Sequence, residues 1–148
     1  MKGTDILEKA AQTIVNKYPE KVELFVAQNL PYPTFIEELK KSDIVLDQAY
    51  SYTPATTALL AMAMGKTVVS GGEPEFYDFI GEKENKPIIN ASYDIEKMTE
   101  VLENLVLNRE FIRNNSIKSR EFVIKHNDTD VVAQRFLKFW NQKLGYKQ

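Results

Sequence analysis

The chain has 148 residues and 19 basic against 21 acidic side chains, which suits one domain large enough to bury its own core. Its net charge of −2 leaves no diffuse positive field to recruit nucleic acid or anionic lipid. It has no cysteine and one histidine, which excludes a disulfide scaffold or thiolate metal site and argues against a histidine-built one. From Thr4 to Tyr18, Ile6, Leu7, Ala10, Ala11, Ile14 and Val15 recur at helical spacing, with Thr4 placed as N-cap. After the turn at Pro19, Val22–Ala27 (VELFVA) is a short apolar run that predicts a strand. A proline-bounded loop, Asn29–Pro33, follows, and Thr34 with Glu37 forms a capping box that predicts a helix over Phe35–Lys41, broken by Ser42.

Ile44–Leu46 predicts a second strand. Thr53 as N-cap and Pro54 at the first helical position predict a helix ended by Gly65, apolar on every side from Ala58 to Met64 and so packed between a sheet and further protein. Thr67–Ser70 is a third strand, Glu73–Ile80 a short helix and Pro87–Asn90 a last strand. Three helices close the chain: one carrying Ile95, Met98, Val101, Leu102 and Leu105 on one face, then Arg109–Lys125 and Asp128–Leu144. Alternating strands and helices predict an α/β fold, a parallel sheet with right-handed crossovers and helices on both faces. Residues 1–148 form one domain, of which 93–148 is a helical tail. A doubly wound domain opens on a strand and this chain opens on a helix, so the usual first strand is lacking. In that order it would lie between Val22–Ala27 and Ile44–Leu46, and its absence leaves backbone groups that invite self-association. No apolar run reaches the ~18 residues of a membrane span and the N-terminus has no signal-peptide segment, so the chain is read as cytoplasmic.

Chemistry concentrates in Ser42–Gly72, a strand, a hydroxyl-rich turn, a helix and a second strand. Asp47 and Gln48 follow a strand's C-terminal end, the edge where open α/β sheets bind ligands; a solvated loop carboxylate with a turn-forming neighbour is the alternative. The helix start at Tyr52–Thr57 offers free amides and the positive dipole end to a phosphate, with the Thr53, Thr56 and Thr57 hydroxyls as further donors. Capping and turn formation explain Thr53 fully and the other two partly. Tyr50, Tyr52 and Tyr77 are candidates to line a sugar site. His126 reads as a residue of an interhelix turn, and Phe136, Phe139 and Trp140, at helical spacing, as core or domain-docking contacts.

Lys2-Gly3-Thr4-Asp5, Asp43–Gln48 and above all Ala61-Met62-Ala63-Met64-Gly65-Lys66 with Val68-Val69 resemble the C-terminal half of retaining glycosyltransferases with two Rossmann-like domains, the "glycosyl transferases group 1" type. The resemblance covers essentially the whole chain. It implies a Rossmann-like donor-binding domain that takes a nucleotide diphosphate sugar and passes the sugar to a carbohydrate or lipid-linked acceptor; the N-terminal acceptor-binding domain would precede Met1. No cofactor, metal or nucleic-acid partner is expected, the last two on the charge balance and the cysteine and histidine counts above. Lys2 matches the family's lysine at the nucleotide diphosphate, where a fixed cation stabilises charge on the leaving group; an exposed terminal lysine is the plain alternative. The family also carries two glutamates eight positions apart, and here Tyr52 and Leu60 stand in their places, with Ala55 where a glycine lets the backbone approach phosphate. Leucine accepts no bond from a ribose hydroxyl, a loss of about 1.5–3 kcal/mol. The resemblance thus leaves two readings, a donor held differently, through Asp47 or Tyr52, or a non-catalytic interaction module. A receiver or flavodoxin-like domain lacks support, since the strand ends offer only Asp47 and no phosphate loop follows a first strand.

Overall fold

A computed structural model describes residues 2–145. Helix α1 (Thr4–Lys17) buries Ile6, Leu7, Ala10, Ala11 and Ile14 as one stripe. Its N-cap is Gly3, in the left-handed conformation at φ 68°, so Thr4 is the first helical residue and caps nothing. Helix α2 (Tyr32–Lys41) starts before the expected capping box: Pro31 is the N-cap and no side chain bonds the free amides. The fixed φ of Pro33 suits a first helical turn, so the prolines set this start and Thr34 falls inside it. Ser42 ends the helix as expected, its hydroxyl donating to the Glu38 carbonyl at 2.9 Å.

Three parallel strands follow, β1 (Ile44–Leu46), β2 (Thr67–Ser70) and β3 (Ile89–Asn90), in the order β1-β2-β3. Ile44 lies opposite Thr67 and Val69 opposite Ile89. Between and after them run α3 (Thr56–Ala63), α4 (Pro74–Ile80), α5 (Ile95–Leu107), α6 (Arg109–Asn127) and α7 (Thr129–Leu144). Alternate strand residues serve opposite faces. Val69, with Ile44, Leu46 and Ile89, packs on Leu7, Ala10, Ile14, Met98 and Leu102 of α1 and α5. Val45 and Val68 pack on Leu39, Ala58, Met62, Tyr77 and Phe122 of α2, α3, α4 and α6. The parallel α/β sheet with helices on both faces is thus present, and α5 of the closing helices belongs to its core. Tyr77 is fully buried; its hydroxyl accepts from the Ile88 amide at 3.1 Å, and burial pushes the phenol up to about 12. It lines no sugar site. No helix among the described residues is long and apolar enough to cross a membrane.

Val22–Ala27 is not a strand. Val22 and Leu24 pack on the α1–α5 core, while Phe25 and Val26 stand about half exposed. Among the described residues Glu23–Ala27 takes part in no backbone hydrogen bond. The physical reason is that a strand exists through its ladder, and here the apolar pattern has a core to lie on but no neighbour to bond. β1 is an edge strand whose three residues are each only half-buried, whereas all four of β2 are buried. Beyond β1, the Ala49 amide donates to the Lys2 carbonyl at 2.8 Å, so the chain enters α1 alongside the end of β1.

Candidate functional site

The C-terminal ends of β1 and β2 meet at Asp47. Its carboxylate is 1% exposed and has three partners. Oδ1 accepts from the Lys2 ammonium at 3.2 Å; Oδ2 accepts from the Ala55 amide at 3.2 Å and the Ser70 hydroxyl at 3.0 Å. One side chain therefore ties together the start of α1, the end of β2 and the start of α3. The Asp47 amide also continues the ladder, donating to the Val69 carbonyl at 3.0 Å. Asp47 is a scaffold for the edge rather than a solvated loop carboxylate. Lys2, its side chain 51% exposed, keeps donors facing solvent while Asp47 fixes its position.

The turn between β1 and α3 is built differently from the expected cap. Thr53 is exposed and caps nothing: its amide donates to the Ser51 hydroxyl at 3.2 Å and its carbonyl accepts from the Gln48 amide group at 2.9 Å. Pro54 lies ahead of the helix, and α3 begins at Thr56 with Ala55 as N-cap and no side-chain cap bond. The reason is that the Asp47 carboxylate already holds the Ala55 amide, which moves the helix start onward from Thr53. The N-terminus of α3, with Thr56 exposed and Thr57 half-buried, is left to solvent or a ligand. Gly71 is what lets this turn lie so close to β2, because a Cβ there would stand 2.1 Å from the Ser51 carbonyl oxygen and 2.7 Å from the Thr53 nitrogen.

Tyr52 is 69% exposed and its carbonyl accepts from the Glu73 amide at 3.3 Å. Tyr50, also exposed, lies against Gly3, where its ring carbons would meet a Cβ at 3.2 Å and 3.3 Å. Leu60 is half-buried and packs on the α3–α6 core, so its place in the sheet's outer layer is occupied by packing. The structure thus brings Lys2, Asp47 and the Thr56–Thr57 helix start to one edge, with Tyr52 and Thr53 at its rim. An apolar hollow of about 260 Å³ lined by Ile89, Val101, Leu105 and Phe111 includes none of these residues.

Two carboxylates had no signal in local sequence. Glu73 sits beside the turn, its Oε1 accepting from the Asn90 side chain at 2.7 Å. Glu82 is buried at the end of α4, although Gly81-Glu82-Lys83-Glu84-Asn85 reads as a solvated charged loop. Its Oε1 accepts from the Glu84 and Asn85 amides at 3.0 Å and 3.1 Å, and its Oε2 from Lys125 and from His126 Nε2, each at 2.7 Å. The Lys125 and His126 bonds, then those amides, hold the Glu82 carboxyl far below the usual carboxylate range. His126 therefore belongs to the last turn of α6, buried against Phe122 with ring centroids 4.8 Å apart, and not to an interhelix turn. Among the described residues no group of three or more acidic or histidine side chains could hold a metal. Comparison with protein families, curated proteins and solved structures found no match.

Proposed function

We propose that this chain is the donor-binding half of a retaining glycosyltransferase, a Rossmann-like domain that holds a nucleotide diphosphate sugar for transfer to a carbohydrate or lipid-linked acceptor in the cytoplasm. One observation carries the reading: the two oxygens of Asp47 separately hold the Lys2 ammonium and the amide at the start of α3. A cation and an uncapped helix N-terminus are thereby set side by side at the C-terminal edge of a parallel sheet, the chemistry that a diphosphate requires.

In this reading Lys2 binds the diphosphate and neutralises charge as it leaves with the nucleotide. The Thr56 and Thr57 amides and hydroxyls take phosphate oxygens, Thr53 and Tyr52 flank the sugar or base, and Asp47 positions Lys2 and the turn. Leu60 removes the usual ribose acceptor, and in this reading Glu73, held near the turn by its amide's bond to the Tyr52 carbonyl, substitutes for it. Calorimetric titration with uridine and guanosine diphosphates and their sugars tests donor binding; no heat at roughly millimolar ligand, the affinity expected of half a site, counts against it.

A second reading, a non-catalytic interaction module of the same fold, is favoured by the packing of Leu60 into the core and by the three bonds that Asp47 already makes. Turnover of a nucleotide sugar by the chain joined to its acceptor domain would eliminate it.

A further inference from the structure

Among the described residues helix α7 is the one helix with no buried residue. It touches the body through Arg135, whose guanidinium donates to the His126 carbonyl at the end of α6 at 3.1 Å. Val132, Phe136, Phe139 and Trp140 recur at i, i+4, i+7 and i+8 and so share one face, widened by Leu137 and Leu144. Phe136 and Trp140 pack ring against ring at 5.9 Å, yet remain 55% and 53% exposed, with Phe139 at 53%. The opposite face carries Gln134, Lys138, Asn141 and Gln142, and after Asp130 the chain has Arg135, Lys138, Lys143 and Lys147 and no acidic residue. The chain's near-neutral total conceals this local positive charge.

The geometry points to α7 as an interfacial helix that docks this domain on an anionic lipid surface, its aromatic face set into the headgroup boundary and Lys143, within that face, against the lipid charge. Charge of one sign beside a Trp/Phe/Leu face is the pattern of such helices. Lys143 decides between lipid and protein as the occupant. It falls within the apolar arc, its ammonium 5.7 Å from the Phe139 ring centroid. A lysine there suits a headgroup layer, to which its stem reaches, and opposes a protein interface, whose centre is depleted of lysine. The inference does not depend on donor binding.

Trp140 is the only tryptophan of the chain, so its fluorescence reports α7 alone. Titration with vesicles of phosphatidylglycerol in phosphatidylcholine should shift its emission to the blue, more strongly as the anionic fraction rises and less as salt is added. Lys143→Gln should weaken partitioning about fivefold, and Lys138→Gln, on the opposite face, by less, both with unchanged far-ultraviolet circular dichroism. No shift with anionic vesicles, an equal shift with phosphatidylcholine alone, or a shift that grows with protein concentration in the absence of lipid would overturn the assignment; the last would mean that a second copy covers the face.

Discussion

Replacing Asp47 by alanine should loosen the whole sheet edge. The Ser70 hydroxyl, on a fully buried residue, and the Ala55 amide would lose their acceptor, while the half-exposed Lys2 ammonium would return to water. An unsatisfied buried donor costs about 1–3 kcal/mol, and the ion pair, half-exposed at its Lys2 end, contributes about 0–1 kcal/mol. The two orphaned donors, one only partly buried, therefore imply a loss of about 3 kcal/mol, or roughly 6–12 °C in Tm for a domain of this size. Asp47→Asn keeps an acceptor and a side chain of the same shape, so it should lose only about a third as much. Thermal and urea unfolding of the three proteins checks the order. Asp47→Ala within about 0.5 kcal/mol of the parent, the range of an inert surface change, would refute the view that this carboxylate assembles the edge.

Gly71→Ala would drive a methyl group into the Ser51 carbonyl, 2.1 Å away, and should cost at least about 1–3 kcal/mol by overpacking; an unchanged urea midpoint would contradict the close approach of turn and β2. The Glu82 carboxyl is lowered in the folded state, so its bonds to Lys125 and His126 stabilise the fold above the ordinary value of 4.5 and are lost as pH falls below it. Tm measured from neutral pH downward should therefore drop on passing that value, and Glu82→Gln should flatten the drop; parallel curves would contradict the cluster's role. The open edge of β1 and the unbonded Glu23–Ala27 segment predict self-association that grows with concentration. Sedimentation of a strictly monomeric species at high concentration would refute that.

The parts of this fold set by local chemistry were legible in sequence. Gly65, with φ 70°, follows the end of α3 as the pattern required, and the apolar runs of β1 and β2 pair in parallel. What stayed hidden depends on partners distant in the chain. Val22–Ala27 has a strand's composition, but strand formation needs a neighbour. Thr53 has a cap's chemistry, but Asp47, eight residues before Ala55, holds the Ala55 amide and moves the helix start. Glu82 and His126 are 44 positions apart and meet only because α6 crosses behind α4 and the following loop. For the site, sequence named Lys2, Asp47 and the threonines separately, the Asp47 bonds bring them to one edge, and sequence left out Glu73, whose position follows from its bonds to Tyr52 and Asn90.

The proposed donor site holds a diphosphate between Lys2 and the start of α3. Amide chemical shifts followed by nuclear magnetic resonance during addition of uridine or guanosine diphosphate test it residue by residue. The account predicts perturbations concentrated at Lys2, Ala55, Thr56 and Thr57, saturating at roughly millimolar ligand and abolished by Lys2→Ala. Shifts confined to the hollow around Ile89 and Phe111, or none at all, would contradict it.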